Sequence, residues 1–263
     1  MKKLLLVFLF VGSISVGSVS LFGQSAFDGT WRLNTQTAQF KGNDTFSLQN
    51  DMWKCDTCVP KIAVKADGTD QKVSGSPYYD AISVRQVDDH TVEITSKKGG
   101  KAAGAQKVTA SSDGNMLTTE WSFVAESGQQ GSGKYTSDRV GDAPAGANKV
   151  SGTWHAGKIE GASENVSMFT YKVTADGLSM SDPVGDSYTA KFDGKDYPYK
   201  GDPGTTSVSL KKIDANTIEE SDKRNGKVIS VARMTVDPDG KTMKITVEDK
   251  LRDTTSNWTA DKQ

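Results

Sequence analysis

The alternation of apolar and polar positions is clearest near the carboxy terminus. Met243, Ile245 and Val247 alternate with Lys244, Thr246 and Glu248, the period-two signature of a strand with one buried face. Thr206, Val208 and Leu210 share a face against Ser207, Ser209 and Lys211, and Val228, Ser230, Ala232, Met234 and Val236 share one along Lys227–Val236. Further strands are predicted at Thr153–Lys158, Phe169–Thr174, Leu178–Met180, Tyr188–Phe192, Thr217–Ser221 and Asn257–Lys262, about eight or nine in this half of the chain. Asp-Gly dipeptides (Asp28-Gly29, Asp67-Gly68, Asp113-Gly114, Asp176-Gly177, Asp193-Gly194, Asp239-Gly240) punctuate both halves and signal tight hairpins. No stretch carries a sustained i, i+3, i+4, i+7 stripe, so almost no helix is expected.

The two halves are copies of one another. Gly29-Thr30-Trp31 recurs as Gly152-Thr153-Trp154, a shift of 123. Between Lys65 and Gly114 the match runs without a gap at a shift of 126, pairing Asp67-Gly68-Thr69-Asp70 with Asp193-Gly194-Lys195-Asp196 and Asp113-Gly114 with Asp239-Gly240. Near the end Tyr135–Arg139 answers Trp258–Lys262. A two-copy repeat of this length predicts two tandem domains, at 27–140 and 150–263. The small, Pro- and Gly-containing stretch 141–149 reads as their linker. A meander of so many strands closes on itself or splits into two sheets to remove its open edges.

What stands at the two ends of each copy favours closure. Each opens with Gly-x-Trp and ends 108 residues later with a cation, Arg139 after Trp31 and Lys262 after Trp154. An indole face stabilises a partly desolvated cation by roughly 0.5–2 kcal/mol. This layout resembles the lipocalins and the wider calycins, in which Gly-x-Trp on the first strand packs beneath a basic side chain of the last and closes one barrel mouth. The resemblance implies an all-β protein of two tandem antiparallel up-and-down, lipocalin-like barrels. Trp31 with Arg139, and Trp154 with Lys262, would then be the structural closures. The chain is also similar to a group of exported bacterial proteins beginning Phe-Asp-Gly-Thr-Trp, here Phe27 to Trp31, whose shared segments resemble Asp193–Pro198 and Arg233–Val236. That group brings no activity with it.

The amino terminus adds a location. Lys2 and Lys3 precede the unbroken apolar run Leu4–Val11, followed by Gly, Ser, Val and Ile to Ser20, which is the order of a secretory signal peptide. Residues 1–23 are taken as the leader, with cleavage between Ser20 and Ala26. The apolar run is well short of the ~20 residues that cross a bilayer, so no transmembrane segment is expected after cleavage and the mature protein is expected in the periplasm or outside the cell. Removing Lys2 and Lys3 takes the formal charge from −1 to −3, and a faintly acidic chain has no electrostatic footprint for nucleic acid.

Candidate chemistry is sparse. Cys55-Asp56-Thr57-Cys58, present only in the first copy, is read as a disulfide stapling a strand end, since a thioredoxin-type pair needs a helix N-terminus and a metal site needs a second ligand pair. His90 sits in a turn where the second copy has Asn216, and His155 alternates away from Trp154, so no Ser-His-Asp arrangement survives. Asp67/Asp70 and Asp193/Asp196 are explained by turn chemistry, having too few oxygens for calcium. Pro77-Tyr78-Tyr79 and Tyr197-Pro198-Tyr199 are read as covering a hydrophobic barrel end. No catalytic residue, metal ligand or cofactor is assigned. The expectation is a non-enzymatic binding protein carrying a small apolar ligand or lipid in a barrel. The alternative is an envelope module with filled barrels that meets another protein.

Overall fold

The alternation yields twenty strands and one helical turn among residues 25–263, which the computed structural model describes; the predicted leader lies outside them. The first half supplies β1 (Gly29–Lys41), β2 (Asn43–Gln49), β3 (Met52–Cys55), β4 (Ile62–Lys65), β5 (Gln71–Lys72), β6 (Ala81–Gln86), β7 (Thr91–Lys98), β8 (Lys101–Ala110), β9 (Met116–Val124) and β10 (Gln130–Val140). The second supplies β11 (Gly152–Ala162), the turn α1 (Glu164–Ser167), β12 (Met168–Val173), β13 (Gly177–Ser181), β14 (Ser187–Lys191), β15 (Tyr197–Lys200), β16 (Ser207–Lys212), β17 (Thr217–Arg224), β18 (Lys227–Val236), β19 (Thr242–Asp249) and β20 (Thr254–Lys262). The strands form two antiparallel ten-stranded sheets, as the all-β repeat predicts. One is closed; the other is nearly closed, with β4 and β5 as its edges.

The two copies exchange their first strands. The closed barrel runs β1 and then β12 through β20, with β1 pairing β20 on one side and β12 on the other. The other sheet runs β4-β3-β2-β11-β10 and back to β5, so β11 lies between β2 and β10. The segments 27–140 and 150–263 therefore do not each enclose a barrel: each holds nine strands of one and the first strand of the other. The stretch 141–149 is likewise no spacer between independent domains but the loop of the β10–β11 hairpin.

Chain proximity explains the exchange. Arg139 and Trp154 are fifteen residues apart, whereas Arg139 and Trp31 are 108 apart. Loop-closure entropy grows with the logarithm of loop length and favours the shorter loop by about 2 kcal/mol. With β11 spent on its sequence neighbour, the strand left to flank β20 is β1.

Each barrel has its own apolar interior. Leu48, Trp53, Val84, Val92, Val108, Leu117 and Trp154 fill the first. Trp31, Leu178, Val208, Leu210, Ile218 and Met243 fill the lower part of the second. Met243, Ile245, Met234 and Val236 face inward as their alternation predicts. Among the described residues no helix is long and apolar enough to cross a membrane.

Candidate functional site

The predicted closures form with exchanged partners. Arg139 lies 4.0 Å over the Trp154 ring and Lys262 5.2 Å from the Trp31 ring centre, opposite one another in register as Arg139↔Trp154 and Trp31↔Lys262. Trp31 is not the partner of Arg139, nor Trp154 of Lys262, because the first strands have changed places. Both indoles are buried, and each donates its ring N–H to a carbonyl four residues earlier, Phe27 O at 2.8 Å and Val150 O at 2.9 Å. The glycine of Gly-x-Trp seats the cation: a Cβ on Gly152 would lie 2.3 Å from Arg139 Nη1, and one on Gly29 would lie 2.7 Å from Lys262 Cε. Arg139 also donates to Gly114 O, Ser151 O and Lys149 O, whereas Lys262 Nζ reaches only Ala26 O, at 3.3 Å. These are joints of the fold.

The other predicted positions stay apart. Cys55 and Cys58 form a disulfide at the end of β3. His155 contacts Gly42 O and Asn43 Oδ1, and Asp88 Oδ1 accepts the backbone N–H of His90 in a turn. Asp67 and Asp193 cap their turns by accepting the N–H groups of Thr69 and Lys195. Tyr79, Tyr197 and Tyr199 cover the cores, but Tyr78 leaves its own barrel and seats its hydroxyl against Gly204 in a loop of the second.

What sequence reading passed over is a polar line inside the second barrel. Alternation along β17 puts Ile218, Glu220 and Asp222 on one face, the face turned to the core, and Glu220 is only 9% exposed. Tyr188 on β14 donates its hydroxyl to Glu220. Tyr171 on β12 donates to Met234 Sδ at 3.0 Å, and its hydroxyl meets that of Tyr188. Ser230, opposite Asp222 on β18, donates to Asp222 Oδ2 at 2.7 Å. Tyr199 leans on Tyr188 with ring centres 5.7 Å apart. Tyrosine, glutamate, aspartate and serine thus follow one another from the barrel floor toward its mouth.

Burial, and then the neighbouring Asp222 carboxylate, push the Glu220 carboxyl far above its ordinary range, which favours its protonated form. Burial also raises Asp222, while the hydrogen bond of Ser230 to its Oδ2 pulls it back. Its Oδ1 is buried and has no hydrogen-bonding partner among the described residues. Nearer the mouth, Asp186 is pushed up to about 7 by burial and then by the carboxylates of Asp182 and Asp202, with Glu126 of the first barrel adding to them. The β9–β10 turn closes on this rim, where Ser127 Oγ donates to Val184 O at 2.5 Å.

The repeat supplies an internal control. Strand pairing matches Tyr171 with Phe46, Tyr188 with Ile62, Tyr199 with Val73, Glu220 with Ile94 and Asp222 with Ser96. The same barrel positions are therefore apolar, or a single serine, in the first copy. The fold does not require the acids, and comparing the copies at inward positions of β7 and β17 would have exposed them from sequence. The chain matches no known family, and no curated protein resembles it closely enough to align, so these inner residues are the basis on which a function is read.

Proposed function

We propose that the protein is an exported, non-enzymatic binding protein with divided labour: the first barrel is a filled structural module, and the second holds a small ligand at its mouth. The Lys2-Lys3 and Leu4–Val11 leader pattern supports export. The observation that carries the binding reading is the replacement of three apolar side chains and a serine by Tyr188, Tyr199, Glu220 and Asp222 in an otherwise equivalent barrel. Burying two carboxyls without a cation costs several kcal/mol, and such a cost is retained where the groups serve a purpose beyond packing. This polar lining favours a small occupant with polar groups over a wholly apolar lipid.

Native mass spectrometry of the mature protein purified from its own host tests the reading. A small-molecule adduct that survives gentle ionisation, disappears on denaturation and is lost in Glu220→Gln is the expected result. A clean apo mass in which Glu220→Gln changes nothing would overturn it.

A further inference from the structure

Resting on that reading, we propose that the ligand is a small organic cation, a protonated primary amine whose nitrogen binds between Glu220 and Asp222 with its carbon skeleton toward the aromatic side of the barrel mouth. The inner site offers acceptors and little to satisfy them. Ser230 and Tyr188 each supply one donor, Asp222 Oδ1 is buried and unpartnered among the described residues, and Asp182, Asp186 and Asp202 add negative charge above it.

In the loops above, Asp182 accepts the N–H groups of Gly185 and Asp186, and Asp202 accepts the N–H of Gly204 and the hydroxyl of Thr205. Lys223, after a bulge that separates it from Asp222, pairs with Asp196; Arg224 donates to Gly204 O at 2.6 Å. Among the described residues no ion pair reaches Glu220, Asp222 or Asp186.

An ammonium group carries three donors and no acceptor, which is the complement of this set. It also prefers an aromatic face when desolvated, and Tyr199, which leans on Tyr188 and feels the Glu220 and Asp222 carboxyls, is partly buried against the core. Ala232, opposite Glu220 in register, and Val247, opposite Ala232, put short half-buried side chains beside the pair. A metal ion fits less well, since no group of three His, Cys, Asp or Glu residues among those described is arranged to hold one. An amine entering as the cation displaces the proton held by Glu220, which leaves to solvent, so the pair ends with two carboxylates facing one ammonium.

Isothermal titration of the mature protein with benzylamine, butylamine and putrescine, and with the neutral benzyl alcohol and anionic benzoate as controls, tests this. At least one amine is expected to bind at pH 7 at least tenfold more tightly than benzyl alcohol. Titration in buffers of different ionisation enthalpy is expected to show protons released on binding, and Asp222→Asn to weaken it at least tenfold in a protein that still melts cooperatively. Equal binding of benzyl alcohol or benzoate, no proton release, unaltered affinity in Asp222→Asn, or no binding by any of the three amines would each overturn the amine assignment. An adduct in native mass spectrometry that carries no amine would do so too while leaving a ligand-binding barrel standing; a clean apo mass unaffected by Glu220→Gln would remove both.

Discussion

The raised carboxyl of Glu220 makes stability depend on pH in a defined direction. Its folded pKa is raised by burial and by Asp222, whereas an exposed glutamate titrates near 4.3. A group with a raised folded pKa contributes its stability fully below the unfolded value and loses it as pH climbs toward the folded one. Between about pH 4.3 and the raised folded value the native state binds up to one proton more than the unfolded chain, and each pH unit there costs about 1.4 kcal/mol. Glu220→Gln keeps the shape and a hydrogen-bond donor toward Asp222 but cannot ionise. Urea denaturation of both proteins at pH 4, 5, 6 and 7 is the assay. Near pH 4 the two should differ by no more than about 1 kcal/mol, the worth of one altered hydrogen bond. The variant should gain on the wild type by about 1.4 kcal/mol for each unit above that. Asp186, raised to about 7, gives both proteins a similar slope that cancels in the difference. Parallel stability curves from pH 5 to 7 would show that Glu220 is already ionised in the folded barrel, and the account of the inner site would fail.

The two indole–cation joints should be unequal: Arg139→Met should destabilise by about 2–4 kcal/mol, because three carbonyls lose their donor, and Lys262→Met by about 1 kcal/mol or less, a ranking that thermal melts would check. Proteolytic nicking between Ala143 and Ala147 should leave two fragments that co-elute in size-exclusion chromatography and separate only in denaturant, since each fragment carries a strand of the other's barrel; separation under native conditions would contradict the exchange. Replacing both Cys55 and Cys58 by serine should cost about 2 kcal/mol in chemical denaturation, in keeping with so short a closed loop.

Much of the architecture was legible because it rests on period-two alternation and turn chemistry, both local. Lys227–Val236 is a strand over the predicted residues, and the Asp67 and Asp193 turns form as their residue types require. Which Gly-x-Trp strand closes which barrel was not legible, because β1 and β11 present nearly the same motif and only the connecting loops choose between them. The inner acids were hidden for another reason. Glu220 stands between Glu219 and Ser221 in a segment that reads as polar throughout, and only its parity with Ile218 marks it as buried.

The pairing of β1 with β20 sets an order of events for a chain that emerges amino end first as it is made. The first barrel has all its strands once β11 has emerged. The second cannot finish until the last residues are through, when Lys262 comes down beside Gly29 and Gln263 donates to Thr30 O. Until then the earliest strand to emerge waits with one edge unpaired, open to pairing with a wrong partner.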